Sequence, residues 1–183
     1  SNGVTTFSGG HYSTGFTVGD LRGSKGYTVA AYVKYTGPVS RIYSAIVGGK
    51  GGPTEFFIGK GHNTNCLGAQ DNEYRACIQS DSNAFDGDYH SVIFSEDANG
   101  DGKMYVDGVH VGSAMFSGGA GVDGEQVLIG EEVEGSGYTW QGEMTSVAFF
   151  NAAIDTDTIA DVHSALVTDA DMGASSGAEA NAP

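Results

Sequence analysis

Proline, cysteine, tryptophan and basic residues are all scarce in this chain. Its 183 residues include three Pro, two Cys, one Trp and only eight Lys and Arg together, against 23 Asp and Glu, for a formal net charge of −15. A field of that sign repels phosphates and anionic lipids, so the sequence predicts no nucleic-acid partner. It favours cations such as Ca²⁺, although an acidic surface is also simply a soluble one. No apolar run approaches the roughly 20 residues of a membrane span, which predicts no membrane insertion.

Glycine and aromatic residues are abundant instead. The chain has 30 Gly, nine Tyr and nine Phe. The glycines have no three-residue period, which excludes collagen, and their number is typical of an all-β protein with many turns. A chain of this length can bury one substantial core, so we expect a single domain.

The hydrophobic pattern predicts about ten strands and one late helix. Tyr27–Tyr35 alternates so that Val29, Ala31, Val33 and Tyr35 share one face. Residues 4–10 are predicted as a first strand and residues 11–21 as turns. From residue 155 the period becomes helical, with Ile159, Val162 and Leu166 on one side, which predicts a helix over about 155–166. The fold predicted is an all-β jelly-roll sandwich of two antiparallel sheets with one short C-terminal helix.

The two ends of the chain suggest a piece of a larger protein. The sequence begins abruptly at Ser1, and its last residues are small and without apolar period. We therefore expect a domain over residues 1–168, a flexible tail or linker over 169–183, and a multidomain parent.

The two cysteines, Cys66 and Cys77, flank a turn centred on Asp71 and Asn72. Such a hairpin places them on facing strands, where a disulfide and hence an oxidising compartment is plausible. Two reduced, half-buried thiols are the alternative.

A calcium-loop pattern occurs between two predicted strands. Asp97, Asn99 and Asp101 follow the D-x-N-x-D-G spacing, which gathers three oxygen-bearing side chains around a tight turn. The pattern lacks the Glu at its twelfth position, where Gly108 stands. The same residue types are those that any exposed hairpin turn needs, so a plain turn is the alternative.

Two polar segments are candidates for ligand binding. Sugar sites combine an aromatic face with amide, carboxylate or guanidinium groups, and the first segment has that composition, although an ordinary hairpin tip would too. Its candidate residues are His62, Asn63, Asn65, Asp71, Asn72, Tyr74 and Arg75. The second segment carries Glu132, Glu134 and Tyr138. Alternate carboxylates could flank a glycosidic bond, but a solvated loop or cation-binding rim is the plainer interpretation.

Several short motifs follow one another along the chain: Phe7-Ser8-Gly9, Tyr27–Lys34, G-D-Y-H-S-V at 87–92, M-Y-V-D-G at 104–108, L-I-G at 128–130, W-Q-G at 140–142, and F-N-A-A-I at 150–154 followed by Ile159. Their order resembles that of the laminin-G-like, concanavalin A-like lectin/glucanase superfamily. The resemblance implies a core position for Trp140 and a structural one for His90. Many members carry an Asp where Thr145 stands, and that Asp often helps to hold a structural Ca²⁺. A family-type calcium site is therefore not implied here.

The resemblance implies the function class, because neither composition nor spacing identifies a ligand. We expect a non-catalytic, lectin-like carbohydrate-binding module of a secreted or cell-surface protein, with a glycan or glycoprotein partner and calcium as the one conceivable cofactor. A protein-binding adhesion module is the first alternative. A glycan-cleaving hydrolase or lyase is the second, but the E-x-D-x-x-E strand of the superfamily's glucanases is missing, and eight cations are few for a lyase.

Overall fold

Two six-stranded antiparallel sheets enclose a common core in the computed structural model of the chain. It describes residues 4–38, 43–51, 54–61, 66–72, 74–79, 83–116, 124–132 and 137–178. Sheet I has the spatial order β1 (Thr5–Phe7), β12 (Gly142–Phe150), β3 (Tyr27–Tyr35), β8 (Tyr89–Glu96), β9 (Asp101–Val106) and β10 (Val109–Met115). Sheet II has the order β2 (Tyr12–Thr17), β11 (Gln126–Ile129), β4 (Ser44–Gly51), β5 (Thr54–Gly61), β6 (Cys66–Asn72) and β7 (Tyr74–Gln79). The predicted sandwich is confirmed.

Strand β3 lies at the centre of sheet I and is buried on both faces. Val29, Ala31, Val33 and Tyr35 point into the core between the sheets, as their alternation predicts. Ala30 points the other way, into a second apolar cluster under the C-terminal helix. The near-continuous apolar sequence of β3 follows from this double burial.

Helix α2 (Thr156–Ala178) covers the outer face of sheet I. Asp155 Oδ1 accepts a hydrogen bond from the Thr158 amide at 2.9 Å, which caps the first turn. Ile159 and Leu166 are buried against the sheet, with Val162 packed beside them, as the helical spacing predicts. Within the described residues, no helix is long and apolar enough to cross a bilayer.

The end of α2 corrects the sequence prediction. The helix does not stop near residue 166 but continues through most of the predicted tail, to Ala178. Apolar spacing ends at Leu166, yet the following segment has no proline before Pro183, so no residue there breaks the helix outright. Residues 179–183 lie outside the described part.

The predicted turns at 11–21 are also corrected, because they form β2 and a short helix α1 (Val18–Arg22). Thr17 and Asp20 form a capping box, in which Asp20 Oδ2 accepts from the Thr17 amide at 2.9 Å and Thr17 Oγ1 accepts from the Asp20 amide at 3.2 Å. The first strand is shorter than predicted, since β1 pairs with β12 only over Thr5–Phe7.

Strands β6 and β7 form the predicted cysteine hairpin. Cys66 is buried and disulfide-bonded, and Cys77 is the chain's one other cysteine. In the strand register Cys77 stands opposite Gly68, on the strand that begins with Cys66.

Reduction of this disulfide is expected to lower the free energy of unfolding by about 3 kcal/mol, since a loop of this size loses roughly that much chain-entropy stabilisation. Urea denaturation with and without reductant measures the effect. The Cys66→Ser/Cys77→Ser double variant should match the reduced protein and no longer respond to reductant. Equal midpoints for all three samples would contradict the expectation.

His90, near the start of β8, forms hydrogen bonds to the segment before β8 and to the turn between β9 and β10. Its Nδ1 donates to Asp107 Oδ2 at 2.7 Å, and its Nε2 donates to Asp86 Oδ1 at 3.0 Å. Asp107 Oδ1 also accepts from the Ser91 amide at 3.0 Å. Burial lowers the pKa of His90, but the hydrogen bonds to Asp107 and Asp86 outweigh it and raise the pKa above its usual 6.5. The structural role predicted for His90 agrees with these contacts.

The raised pKa of His90 predicts a pH-dependent stability. The folded state binds the imidazolium proton more tightly than the unfolded state, so this stabilisation is complete below pH 6.5 and is lost as pH rises through the folded pKa. Urea denaturation across that window should show a declining free energy of unfolding. His90→Gln should flatten the decline, whereas His110→Gln, at an exposed histidine, should keep it. If the free energy of unfolding of His90→Gln still declines with rising pH as in the wild type, a group other than His90 causes the decline.

Candidate functional site

The predicted ligand residues divide between opposite ends of the sandwich. β5 and β6 are joined by residues 62–65 at one end, whereas β6 and β7 are joined at residue 73 at the other. His62, Asn63 and Asn65 lie outside the described residues, in the first connection. Asp71, Asn72, Tyr74 and Arg75 belong to the strand ends beside the second connection rather than to a loop. The seven residues of β6 separate the two groups, so they cannot form one site.

A buried carboxylate organises the end of the sandwich that carries residues 62–65. Glu131 is 4% exposed and receives a hydrogen bond from His11 Nδ1 at 2.7 Å on Oε2. Its Oε1 accepts a hydrogen bond from the Gly137 amide at 3.3 Å. One side chain therefore connects the start of sheet II, at His11, with the segment that leads to Tyr138.

Two tyrosine rings pack edge to face beside this carboxylate. Tyr138 is 38% exposed, and its ring centroid lies 5.2 Å from that of half-buried Tyr43 at an interplanar angle of 71°. The Tyr43 ring comes within 4.0 Å of where a side chain on Gly61 would begin. Because Gly61 directly precedes residues 62–65, the pair stands beside the connection that carries three predicted ligand residues. We call His11, Tyr43, Gly61, Glu131 and Tyr138 the tyrosine rim.

Beneath the rim the backbone is fixed by hydrogen bonds. The Ala45 amide donates to the Tyr138 carbonyl at 3.2 Å, and Ser44 Oγ donates to the Thr139 carbonyl at 2.8 Å. The Trp140 amide donates to the Gly130 carbonyl at 2.7 Å. Trp140 itself is fully buried, as predicted. The exposed ring of Tyr138 is thus held on a rigid frame, which suits a binding surface.

The described glutamates of the predicted glutamate segment do not lie in a solvated loop. Glu131 and Glu132 are both buried, at 4% and 3% exposure. The Glu132 backbone packs tightly on β4, because a Cβ on Gly48 would lie 2.4 Å from the Glu132 Cα. Glu132 therefore belongs to the frame rather than to a ligand surface, and Glu134 lies outside the described residues.

The three predicted metal ligands meet in one turn at the opposite end. Asp97 Oδ1 accepts from the amides of Asn99 at 2.8 Å and Asp101 at 3.0 Å. These bonds lower the pKa of Asp97, the Asp101 amide contributing most. Asp101 Oδ2 lies 3.2 Å from Lys103 Nζ. The side-chain oxygens thus satisfy the turn's own donors and a lysine, as a plain hairpin turn requires. No group of three or more metal-ligating side chains is found among the described residues.

A second aromatic cluster lies on the outer face of sheet I. The rings of Tyr32 and Tyr89 stack with centroids 5.3 Å apart, and Lys34 Nζ lies 5.6 Å from the Tyr89 centroid. The Tyr89 hydroxyl donates to Glu143, and burial together with that carboxylate raises the Tyr89 pKa. Tyr32 and Tyr89 are half-buried, whereas Tyr138 is 38% exposed. The tyrosine rim is therefore the better candidate.

Thr145, where many members of the resembled superfamily carry an Asp, lies at a β-bulge. The register of β12 against β3 shifts between Met144 and Ser146, and Thr145 Oγ1 donates to the Tyr32 carbonyl at 3.4 Å. Its hydroxyl serves the strand pairing at the bulge.

Sequence reasoning missed Tyr43 and His11 as site residues. His11 stands next to a polar, glycine-rich segment, and Tyr43 lies within a predicted strand, so neither carried a signal of its own. His11 is 120 residues away from Glu131 in sequence. Only the sheet pairing brings them together.

Comparison with known proteins identifies the fold independently. A sequence profile of the concanavalin A-like lectin/glucanases superfamily matches residues 7–160. A search of curated proteins finds no match.

Several solved structures share the architecture. The CBM40 module of the Ruminococcus gnavus IT-sialidase superposes with a TM-score of 0.62 at 15% identity, covering 89% of this chain and 99% of the module. Domain 4 of AbnA, an extracellular GH43 arabinanase from Geobacillus stearothermophilus solved with arabinotriose, gives 0.60 at 17%, covering 79% and 69%. A heptameric SAP-like pentraxin from Limulus polyphemus gives 0.60 at 16%, covering 87% and 80%. At these identities the likeness shows the jelly-roll fold alone.

Proposed function

Because the chain belongs to the concanavalin A-like lectin/glucanase superfamily, we propose that it is a non-catalytic carbohydrate-binding module that holds a glycan at the tyrosine rim. The observation that carries the proposal is the exposed Tyr138 ring, packed on Tyr43 and anchored beside the Glu131–His11 pair. Two neighbours with this fold were solved with sugars, the arabinanase domain in complex with arabinotriose and the CBM40 module bound to alpha2,3 sialyllactose, which supports the proposal.

The rim supplies the two kinds of contact that a sugar needs. The face of Tyr138 can pack against the C–H groups of a pyranose or furanose ring, and the part-exposed His11 can exchange hydrogen bonds with sugar hydroxyls. Glu131 acts as a positioning residue, because both of its oxygens already hold protein donors.

A binding role is favoured over catalysis for a chemical reason. Glycoside hydrolysis requires two carboxyl groups about 5–9 Å apart on either side of the scissile bond. At the rim, Glu131 is engaged by His11 and Gly137, and Glu132 is buried. Neither is presented to a substrate.

An extracellular or cell-surface location within a larger protein is part of the proposal. A disulfide at Cys66 is most stable in an oxidising compartment, and carbohydrate-binding modules commonly act beside other domains. Calcium assistance remains a prediction from the sequence, supported by the net charge of −15. The D-x-N-x-D-G turn adds no support, because it lies at the end opposite the rim and its oxygens accept the turn's own amides.

A glycan array tests the proposal, probed in parallel with Ca²⁺ and with a chelator. We expect a restricted set of oligosaccharides to bind, and a chelator-sensitive signal would support the calcium prediction. Absence of binding in both conditions would overturn the sugar proposal in favour of a protein-binding adhesion module. Release of reducing ends, or of an unsaturated product that absorbs in the ultraviolet, would show a glycan-cleaving enzyme instead.

A further inference from the structure

A cavity of about 470 Å³ opens at the end of the sandwich opposite the tyrosine rim. β12 runs from Gly142, beside the rim, to Phe150, and the cavity lies where β12 ends and meets α1. Its lining residues are Phe16, Asp20, Leu21, Phe149, Phe150, Asn151, Ala152 and Ile154. Its volume falls in the range of small-molecule sites.

Aromatic rings form much of the cavity wall. Phe16 and Phe149 pack edge to face with centroids 5.1 Å apart, which fixes two rings from different sheets. Phe150 is anchored from below, where it packs on the second apolar cluster under α2. All three residues are half-buried. Because Phe149 and Phe150 point to opposite faces of sheet I, Phe16 and Phe149 are the rings that meet at this end of the core.

A carboxylate held in place stands among these rings. Asp20 Oδ2 accepts from the Thr17 amide and from Thr17 Oγ1, both at 2.9 Å. Within the described part of the chain, no hydrogen bond occupies Oδ1, which leaves it for a ligand. The capping bonds, the one from the Thr17 amide first, lower the pKa of Asp20 and keep it ionised.

Positive charge is lacking on the described cavity wall, which carries neither Lys nor Arg. The nearby Arg22 has its Nε and one terminal nitrogen buried, and its charge acts inward on Tyr27 and Glu96. A cationic ligand would therefore meet a carboxylate, the negative faces of phenylalanine rings and a chain of net charge −15.

We propose that this cavity binds a small organic ammonium ion carried on an apolar body, with the ammonium group at Asp20 and the apolar body against Phe16 and Phe149. An anion would be repelled by Asp20. A free sugar would find few hydrogen-bonding groups, since Asp20 and Asn151 are the polar side chains in the described lining. The site is independent of the proposed glycan rim.

Amide NMR titration with phenethylammonium tests this proposal, with the neutral 2-phenylethanol and the anionic 3-phenylpropionate as matched probes. We expect phenethylammonium to shift the amides of Asp20, Phe149 and Asn151 and to bind at least about tenfold more tightly than 2-phenylethanol, since only the ammonium can form a charge-assisted hydrogen bond with Asp20. Equal affinities of the two, or no shifts at the lining, would overturn the proposal.

Asp20→Asn is the informative variant, because its side-chain oxygen can still accept from Thr17 and keep the capping box. It should weaken phenethylammonium about tenfold and leave 2-phenylethanol unchanged. Asp157→Asn removes the same charge from an exposed site in α2, away from the cavity, and should change neither. If both variants weaken phenethylammonium equally, the attraction comes from net charge and the cavity is not the site. Glycan-array binding should be the same in wild type and both variants, so a failure here leaves the glycan proposal standing.

Discussion

Replacing Trp140 with alanine is expected to lower the free energy of unfolding by about 3–5 kcal/mol, the usual cost of deleting a large buried aromatic side chain. Trp140 is fully buried in the core between the sheets and packs edge to face on Tyr35, with ring centroids 5.2 Å apart. Tyr35 in turn packs on Phe85 at 5.5 Å. Removing the indole therefore leaves a cavity at one end of this aromatic chain, beneath the tyrosine rim.

Urea denaturation followed by far-ultraviolet circular dichroism measures this effect, because the variant loses the chain's single tryptophan fluorophore. Within the described residues, Trp140 Nε1 has no hydrogen-bond partner, so Trp140→Phe removes volume without breaking a bond at that atom. It should recover more than half of the loss. Met115→Ala, at a side chain 58% exposed, should change stability by less than about 0.5 kcal/mol. A loss below about 1 kcal/mol for Trp140→Ala would contradict the packing described here.

Gly100→Ala is expected to be costly for two separable reasons. Gly100 adopts φ +86°, which an L-residue enters at a cost of about 1–2 kcal/mol. A Cβ there would also lie 2.0 Å from the Phe116 carbonyl oxygen. The Phe116 amide donates a hydrogen bond to the Gly100 carbonyl oxygen at 2.8 Å, which holds the two backbones together. Because the obstacle is backbone, the turn must shift, and overpacking of this kind adds about 1–3 kcal/mol. We expect a total loss of roughly 2–5 kcal/mol.

Gly108→Ala provides a matched control in the next hairpin of the same sheet. Gly108 has a similar φ of +76°, but the nearest atom to its added Cβ would be on the His163 ring, at 3.2 Å, and not a backbone atom at 2.0 Å. A shift of a few tenths of an ångström in that ring relieves the contact, so this variant should cost little beyond the conformational penalty. Equal losses for Gly100→Ala and Gly108→Ala in urea denaturation would show that the contact with Phe116 is unimportant.

The strands of sheet I were predictable because their signals are local. β3 carries nine residues of apolar and aromatic sequence, and the alternation within it correctly assigns Val29, Ala31, Val33 and Tyr35 to the core. The start of α2 was predictable from the Asp155 cap and the spacing of Ile159 and Leu166. In each case the residues that decide the structure are close together in sequence.

The candidate site was less predictable because its contacts are distant in sequence. Polar composition pointed to 62–65 and 71–75 alike, and only the hairpin geometry shows that these segments lie at opposite ends. The burial of Glu131 and Glu132 depends on Gly48 and His11, which no sequence pattern links to them. The rim residues are brought together by the pairing of strands that are distant in sequence, and no local pattern indicates that pairing.

Isothermal titration of the strongest array glycan against wild type, Tyr138→Ala and Tyr138→Phe tests the central claim most directly. If the glycan packs on the Tyr138 ring, Tyr138→Ala should weaken binding at least about tenfold, which corresponds to 1.4 kcal/mol. Tyr138→Phe should retain most of the affinity, and Met115→Ala, at the far end of the sandwich, should retain all of it. Wild-type affinity in a folded Tyr138→Ala variant would contradict the account.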